Sequence, residues 1–402
     1  MAKSSNVPEI RFAGFTDPWE QRKLGEIAKE INRIDPESSA PVMMISASSG
    51  FINQSEKYST DNTGQSLKRY ILLKQGELAY NHGASKLRPF GSCFSLMPNE
   101  ARIPFVYHCF DVGENDSKFI EIILNQNNVQ NQLRQLVSSG ARMDGLLNIS
   151  FEEYGTVLIS LPNNIEQRRI AYYFKSLDNL IALHQRKYDK LVAFKKAMLE
   201  KMFPKEGETV PEIRFAGFTD PWEQRKAYEV FKIIDDRGHP ELPVLSATQD
   251  QGMIKRDNSG RYIGHDKSSE TGYKRVCSGD YVVHLRSFQG GFAHSSVEGI
   301  TSPAYTVFTT REPKMHCDRF WKHRFISNRF IESLSIVTYG IRDGRSINVD
   351  EFMMQSMLFP AAPEQVAIGK TLDTLDNLIT LHQRKLEVLN NIKKAMLDKM
   401  LV

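Results

Sequence analysis

The residues of this chain that could bind a metal or take part in catalysis do not form a recognisable set. His316 and Cys317 with His323 come nearest to the spacing of zinc ligands, and the four cysteines stand singly, without a C-x-x-C pair. No G-x-x-x-x-G-K-[S/T] loop is present to hold ATP, and no paired carboxylates mark a general acid and base. We therefore expect no catalytic residues, metal ligands or cofactor-binding residues in this chain.

The composition is that of a folded globular protein. Of 402 residues, 41% are hydrophobic and 10% aromatic, which excludes a chain that is disordered throughout. No apolar run approaches the ~18 residues of a membrane span. The first residues lack the apolar stretch of a signal peptide, and the single cysteines fit a reducing compartment, so we expect a cytoplasmic protein. The net charge of +4 permits an acidic partner without requiring one.

Two segments occur twice in the chain. Val7–Lys23 recurs as Val210–Lys226 without a change over 17 residues, and Glu166–Phe203 aligns with Glu364–Leu401 with 21 of 38 positions identical. The stretches between them are each about the size of one domain and share only short echoes. Neutral drift after a duplication is the alternative, but drift does not leave one segment untouched while the next becomes nearly unrecognisable. We therefore predict a constant frame that carries two variable domains.

The second repeated segment is predicted to be a long helix. Glu166–Phe203 contains no Pro or Gly, and Pro162 and Pro204 flank it. Its 38 residues would span roughly 57 Å as a helix. In both copies the seam positions step by 4 and 3 residues, which is the period of a coiled coil. The predicted seam includes Ile170, Leu177, Ile181, His184, Leu191 and Met198 in the first copy, and Ile368, Leu375, Ile379, His382, Leu389 and Met396 in the second.

Each long helix has one such seam, so we predict that the two helices pack on each other. An antiparallel arrangement is expected because a whole domain separates them, and it would form a rod with a variable domain at each end. His184 and His382 interrupt the seams and are interpreted as register or interhelix hydrogen-bond residues, with ligands or bases as the alternative. Basic residues off the seams form either a solvated face or one turned toward phosphates or an acidic partner helix.

The first repeated segment is predicted to be an extended docking segment. It combines two prolines, a glycine and three aromatic residues, which is not typical of a helix. Its presence in both halves implies that the same surface is offered twice. The predicted docking residues are Phe12, Phe15 and Trp19 in the first copy, and Phe215, Phe218 and Trp222 in the second.

These segments together resemble the specificity (S) subunits of type I restriction–modification systems. The opening P-E-I-R-F-x-G-F-x-x-x-W-E-x-x-K, completed by L-G-E-I at residues 24–27, is similar to the start of those subunits. The E-Q pair at Glu166 and at Glu364, followed by L-D-x-L-I, H-Q-R-K and K-K-A-M-L, is similar to their conserved helical regions. The resemblance covers the whole chain and departs at residues 227–228, where A-Y replaces L-G.

The resemblance implies a chain that does no chemistry itself. Each of two target-recognition domains would read one half of an asymmetric, bipartite site in double-stranded DNA, and the paired helices would set the spacer. The conserved regions would dock two methyltransferase (M) subunits, which bind S-adenosylmethionine and methylate adenine. Restriction (R) subunits, which use ATP with Mg²⁺, would join through them. The N/D-P-P-Y/F motif of a methyltransferase is absent from this sequence, as expected if the methyl transfer takes place on the partner.

Base-reading residues are harder to predict, because no code links residues to bases. Arg, Lys, Asn, Gln, Ser and Thr side chains read base edges. For each candidate, an ordinary solvated surface position is the alternative. The candidates are Ser46, Ser48, Lys68, Arg69, Asn81, Lys86, Arg88 and Arg142 in the first variable domain, and Ser246, Thr248, Lys274, Arg275, Arg286, Ser287, Arg342 and Arg345 in the second.

We predict an α+β chain with two α/β target-recognition domains joined by two long helices that form an antiparallel coiled coil, with a pseudo-twofold internal repeat. The alternative function is a non-catalytic scaffold that presents two equivalent docking surfaces, without sequence-specific DNA binding. The predicted domains are 1–160 (docking segment and first recognition domain), 161–203 (first conserved helical region), 204–360 (linker, repeated docking segment and second recognition domain) and 361–402 (second conserved helical region).

Short segments of the recognition domains also have predicted conformations. Apolar and β-branched runs indicate strands, and longer amphipathic runs indicate helices. The predicted strands are Tyr70–Leu73, Leu78–Tyr80 and Tyr281–Leu285, and the predicted helices are Phe119–Val137 and Phe320–Leu334.

Overall fold

The structure is a computed structural model. It divides into two compact units, of which unit 1 comprises Met1–Leu183 and Leu386–Val402 and unit 2 comprises His184–Lys385. Each unit therefore contains one of the two variable domains, which are predicted above to be recognition domains, and a part of each long helix. The residues that the structure describes are 7–57, 64–137, 147–248, 251–259, 267–283, 291–334, 338–339 and 346–401.

The strands of unit 1 are short and antiparallel. The central sheet has four strands in the order β2-β9-β6-β7, and β1-β10, β3-β4 and β5-β8 form pairs. The strands are β1 (Glu20–Lys23), β2 (Lys29–Glu30), β3 (Met43–Ser46), β4 (Gly50–Asn53), β5 (Ile71–Lys74), β6 (Leu78–Asn81), β7 (Ser92–Ser95), β8 (Glu100–Ile103), β9 (His108–Asp111) and β10 (Leu158–Leu161).

The strands of unit 2 follow the same plan. The four-stranded sheet has the order β12-β19-β16-β17, and β11-β22, β13-β14, β15-β18 and β20-β21 form pairs. The strands are β11 (Glu223–Lys226), β12 (Phe231–Ile234), β13 (Leu245–Thr248), β14 (Gly252–Lys255), β15 (Lys274–Val276), β16 (Tyr281–Val283), β17 (Phe292–His294), β18 (Gly299–Thr301), β19 (Thr306–Thr310), β20 (Thr338–Tyr339), β21 (Ser346–Ile347) and β22 (Ser356–Phe359).

Two of the helices are much longer than the rest. They are α5 and α10, with 38 and 39 residues. The α-helices are α1 (Gln54–Lys57), α2 (Ser117–Leu124), α3 (Asn127–Leu136), α4 (Phe151–Gly155), α5 (Asn164–Lys201), α6 (Ala227–Val230), α7 (Asp318–Phe325), α8 (Asn328–Ser333), α9 (Val349–Met353) and α10 (Ala362–Met400), and the 3-10 helices are Leu24–Glu26, Gly64–Arg69, Arg256–Ser259 and Lys267–Gly272.

Both central sheets are buried on two faces. In β6, Leu78 and Tyr80 pack into the core shared with the helices, whereas Ala79 packs into a separate core on the opposite face. In β16, Tyr281 lies on the helix side and Val282 on the other. Successive side chains of a strand point to opposite faces. Because both faces of each sheet are buried, successive buried residues of these strands are all apolar, which explains the continuous apolar runs in the sequence.

The predicted strands lie within a residue or two of the observed ones in the described part of the chain, but the predicted recognition helices were wrong in one respect. Phe119–Val137 was expected to be a single helix, and the structure has α2 and α3 with a break at Asn125. The Asn125 side chain holds this break, because its Nδ2 donates to the carbonyl of Cys93 (2.6 Å) and its Oδ1 accepts from the N–H of Cys93 (3.2 Å). Phe320–Leu334 is likewise divided, and Ser327 caps the second part.

The long helices begin two residues earlier than predicted. The side-chain oxygen of Asn163 accepts from the backbone N–H groups of Ile165 and Glu166, so α5 starts at Asn164. Phe203 lies beyond the end of α5 and is buried in the core of unit 2. Helix α10 approaches α7 closely at Gly369, which explains why a glycine lies inside the helix. A Cβ added at this residue would lie only 2.9 Å from the Cβ of Arg319 in α7.

Candidate nucleic-acid interface

Each repeated docking segment is tied to the first turn of a long helix by a buried ion pair. In unit 1, Nε and Nη2 of Arg11 donate to the two carboxylate oxygens of Glu166, both at 2.7 Å. In unit 2, Arg214 donates to Glu364 in the same way, at 2.8 and 2.7 Å. The glutamate side chains are 0% and 1% exposed. Burial removes water as an alternative partner, so these carboxylates depend on the arginine for charge compensation.

The residue after each of these glutamates ties the same helix to the recognition domain. Oε1 of Gln167 accepts from the N–H of Asp116, and its Nε2 donates to the carbonyl of Pro162, at 3.0 and 2.9 Å. Gln365 makes the equivalent bonds in unit 2, to the N–H of Cys317 at 2.9 Å and the carbonyl of Pro360 at 2.8 Å. Asp116 and Cys317 immediately precede α2 and α7. The E-Q pair therefore fixes the start of the long helix against the recognition domain.

Sequence reasoning did not assign roles to these arginine, glutamate and glutamine residues. Their identity between the two copies was visible, because they lie inside the two repeated segments. Their pairing was not visible, since Arg11 and Glu166 are separated by 155 positions and Arg214 and Glu364 by 150. The signal that would have found them is an opposite charge at a constant position in each of the two repeated segments.

The two tryptophans of the docking segments are used inside their own units. Trp19 is 2% exposed and packs edge-on against Phe119, and Trp222 is 3% exposed and packs against Phe203. Their prediction as partner-docking residues is therefore corrected, because a buried indole offers no surface to another protein. The four phenylalanines are half-buried, and Phe12 stacks edge-on with Tyr173. Phe12, Phe15, Phe215 and Phe218 remain candidates for docking.

Within each unit, segments of the two long helices contact each other. In unit 2, Nζ of Lys195 lies 2.5 Å from the Asp376 carboxylate, and Nδ1 of His184 lies 2.8 Å from Nδ1 of His382. From the first contact to the second, the residue number falls on one helix and rises on the other, so these segments run antiparallel. In unit 1, Lys393 pairs with Asp178 at 2.6 Å.

The predicted seam residues form the less exposed side of the long helices. Ile170, Leu177, Ile368 and Leu375 are buried, and the other eight are half-buried. Burial together with the neighbouring His382 lowers the pKa of His184, and the positive charges of Lys385 and Lys187 act in the same direction.

A second apolar stripe lies on each long helix and is exposed. At 100° per residue its members fall within about a third of the helix circumference. Three positions match between the copies at an offset of 198, namely Leu180 with Leu378, Leu183 with Leu381 and Phe194 with Ile392. The stripe consists of Ile165, Tyr172, Leu180, Leu183 and Phe194 on α5, and of Val366, Leu378, Leu381, Val388 and Ile392 on α10.

Several candidate base-reading residues are already hydrogen-bonded within their own unit. Arg88 is the clearest case, because burial lowers its pKa and its guanidinium reaches into the domain rather than out of it. Such residues shape the domain, whether or not they also touch DNA. The bonds are Asn81 to the carbonyl of Ile45, Arg88 to that of Asn125, Thr248 to that of Gly252, Lys274 to that of Tyr305, and Arg275 to the carboxylates of Glu298 and Asp236.

Other candidates keep their hydrogen-bonding groups available. Arg69 is exposed, and its guanidinium carbon lies 4.1 Å from the ring centroid of Phe105, itself 39% exposed. Within the described part of the chain Arg69 makes no hydrogen bond or ion pair, so stacking orients its donors without using them. Lys68 and Lys86 are also exposed, and Ser246 is half-buried. The hydroxyls of Ser46 and Ser48 lie 3.2 Å apart and hydrogen-bond to each other. Arg142, Arg286, Ser287, Arg342 and Arg345 lie outside the described residues.

One group of side chains in unit 2 has metal-ligand chemistry. Ligand atoms of His323, Asp373 and Asp376 lie within 4.8 Å of one another. Cationic groups already occupy these carboxylates, since Lys322 donates to Asp373 at 2.8 Å and Lys195 to Asp376 at 2.5 Å. Burial acts to raise the pKa of Asp373, but hydrogen bonds from His323 and Lys322 outweigh it and lower the pKa. The group is therefore described as an ion-pair network that joins α7 to α10.

No protein-family model matches this chain. It is similar to the specificity subunit of the type I restriction enzyme MjaVIII from Methanocaldococcus jannaschii, with 24% identity over 286 residues, covering 66% of this chain and 66% of that protein. The resemblance to type I specificity subunits is confirmed.

Solved structures of type I S subunits are also similar to this chain. The S subunit from M. genitalium has a TM-score of 0.55 and 11% identity, over 98% of this chain and 99% of that one. The HsdS subunit from Thermoanaerobacter tengcongensis has a TM-score of 0.43 and 16% identity, over 97% and 98% of the two chains. The first of these likenesses shows a common fold of mixed helices and strands. Among the described residues, no helix is both long and apolar enough to cross a membrane.

Proposed function

We propose that this chain is the DNA-specificity subunit of a type I restriction–modification complex. Each target-recognition domain, one within residues 1–160 and one within 204–360, reads one half of an asymmetric bipartite DNA site. The observation that carries the proposal is the repetition of one frame, made of docking segment, ion pair and glutamine, around two domains that share strand order but not sequence. Different sequences on a common plan are what two different half-sites require.

The helical regions, 161–203 and 361–402, are proposed to form an antiparallel coiled coil with a pseudo-twofold repeat, which sets the spacer between the half-sites. The antiparallel segments of unit 2 and the buried seam residues support this arrangement. A rod of roughly 57 Å corresponds to about 17 base pairs of duplex, so two domains at its ends would read half-sites more than one helical turn apart.

The exposed apolar stripe of the long helices is proposed to dock the two M subunits. A helix with a single apolar face is satisfied by one partner, whereas these helices have a covered seam and a second, uncovered stripe. The matched positions on α5 and α10 fit two equivalent partners, one for each copy. The M subunits would supply S-adenosylmethionine and the adenine methylation, and R subunits would supply ATP and Mg²⁺ chemistry. This chain would be a non-catalytic, cytoplasmic subunit.

The experiment is methylome sequencing of a host that lacks its own restriction systems and expresses this chain with its cognate M subunit. We expect adenine methylation in one asymmetric bipartite motif. A chimaera in which residues 24–160 come from another specificity subunit is the matched test of modularity, and it should change one half-site and leave the other. An assembled complex that yields no methylated motif would contradict the proposal and favour a scaffold without sequence-specific DNA binding.

A further inference from the structure

The two seam histidines in unit 2 face each other across the long helices. Nδ1 of His184 on α5 lies 2.8 Å from Nδ1 of His382 on α10, and the ring centroids are 5.0 Å apart. Two ring nitrogens at this distance form a hydrogen bond only when one of them carries the proton. When neither does, two lone pairs point into the same small space.

A histidine at this position requires an explanation, because its seam neighbours are apolar. Ile181 and Ile379 precede the two histidines by three residues and are half-buried. A polar residue in a coiled-coil seam lowers stability compared with an apolar one. Both copies nevertheless have histidine at the same position, so the two imidazoles meet each other rather than an apolar side chain.

We propose that His184 and His382 form an interhelical site for a late first-row divalent ion such as Ni²⁺ or Zn²⁺. The two Nδ1 atoms would bind the ion, and water would complete its coordination. Metal–nitrogen bonds are about 2.0–2.1 Å long, so two nitrogens at adjacent octahedral positions lie about 2.9 Å apart, and two at tetrahedral positions about 3.4 Å. The observed 2.8 Å is close to the octahedral separation, and small ring rotations reach it.

The surroundings favour an ion that prefers imidazole over one that prefers carboxylate. Imidazole suits Zn²⁺, Cu²⁺ and Ni²⁺, whereas Mg²⁺ and Ca²⁺ require oxygen ligands. The charged groups that act on His184 are Lys385 and Lys187, both positive, and they oppose a second positive charge. A site with two protein ligands and two nearby lysines should therefore bind in the micromolar range or weaker. The half-buried position leaves room for water on the metal.

Metal binding would join α5 to α10 in one register. An ion held by one residue from each helix binds only while the helices are paired, so it stabilises the paired state by mass action. This effect is independent of DNA reading, so the site stands or falls separately from the proposed function.

The test is titration calorimetry of the purified full chain with NiCl₂, together with thermal unfolding with and without Ni²⁺. The variants are His184→Asn and His382→Asn, since asparagine is tolerated in coiled-coil seams. His239→Asn is the matched control, because His239 lies in the same unit but bonds to Asp236. All variants keep the four cysteines, so metal bound by thiols is common to every sample.

We expect one saturable site in the wild type and in His239→Asn, and affinity at least about tenfold lower in each seam variant. Saturating Ni²⁺ should raise the Tm of the wild type by a few degrees and raise the Tm of both seam variants by less. Two results would overturn the proposal. One is a wild type without saturable binding up to about 1 mM Ni²⁺. The other is a pair of folded seam variants that bind Ni²⁺ as the wild type does.

Discussion

Replacing Arg214 by alanine is expected to destabilise unit 2 by about 3–5 kcal/mol, because removing one partner leaves a buried charge uncompensated. Its guanidinium makes two hydrogen bonds to Glu364, at 2.8 and 2.7 Å, and a third to the carbonyl of Asp220 at 2.6 Å. The Glu364 side chain is 1% exposed, so water cannot replace the lost donors. For a domain of 150–250 residues this loss corresponds to a decrease of about 6–20 °C in Tm.

Thermal unfolding of the full chain, followed by tryptophan fluorescence, measures this loss. Two of the three tryptophans, Trp222 and Trp321, are buried in the core of unit 2. Arg225→Ala is the matched control, since the Arg225–Glu223 pair is exposed and such pairs contribute about 0–1 kcal/mol.

A double variant distinguishes the contribution of the ion pair to stability from the contribution of the volume that its two side chains fill. Arg214→Met combined with Glu364→Leu removes both charges and keeps apolar volume, and such replacements of a buried pair are often neutral. We expect this double variant to recover most of the lost Tm. If Arg214→Ala unfolds like Arg225→Ala, or if the double variant is as unstable as the single one, the reasoning from the buried carboxylate is wrong.

Three further predictions follow from the site. Arg69→Ala should relax one base position in one half-site of the methylated motif and leave the other half-site unchanged, as read by methylome sequencing, because a bidentate arginine contact contributes about 1–3 kcal/mol of discrimination. Leu381→Glu should reduce co-purification of the M subunit at least about tenfold without lowering Tm, whereas Gln383→Glu, which adds the same charge on the opposite side of α10, should not. Burial lowers the pKa of His323, so the unfolded chain takes up its proton first, and the stability of unit 2 should fall as pH drops below about 6.5. His323→Gln should flatten this dependence in chemical unfolding measured between pH 7.5 and 5.

The parts of the structure that could be predicted are those with a local or periodic signal. The 4,3 steps of the seam identified the side of α5 and α10 that is least exposed, and the flanking prolines placed α5 to within a few residues. The break at Asn125 could not be predicted, because it depends on the backbone of Cys93 in β7, which is distant in the sequence. The period of apolar residues indicates which side of a helix or strand is buried, but it does not identify the part of the chain that packs on that side.

The same limit explains the outcome for the docking segment. Three aromatic residues in a short extended segment indicate contact with an apolar surface, but composition does not distinguish the chain's own core from the surface of a partner. Trp19 and Trp222 pack into the chain's own cores. The exposed stripe was missed for a related reason. The sequence was searched for a single seam with 4,3 steps, and Leu183 and Leu381 lie outside that seam, so they were not assigned to an apolar face.

The frame contacts also explain how the recognition domains can differ without disturbing the long helices. In both copies, the contact between the long helix and the rest of the unit uses the side chains of the same three residue types, namely an arginine, a glutamate and a glutamine. The groups that Gln167 and Gln365 bind on the recognition domain are backbone atoms, the N–H of Asp116 in one unit and that of Cys317 in the other. A backbone N–H is available at every residue type except proline. The side chains of the domain can therefore change, aspartate to cysteine included, while the bond that orients the domain on its helix is retained.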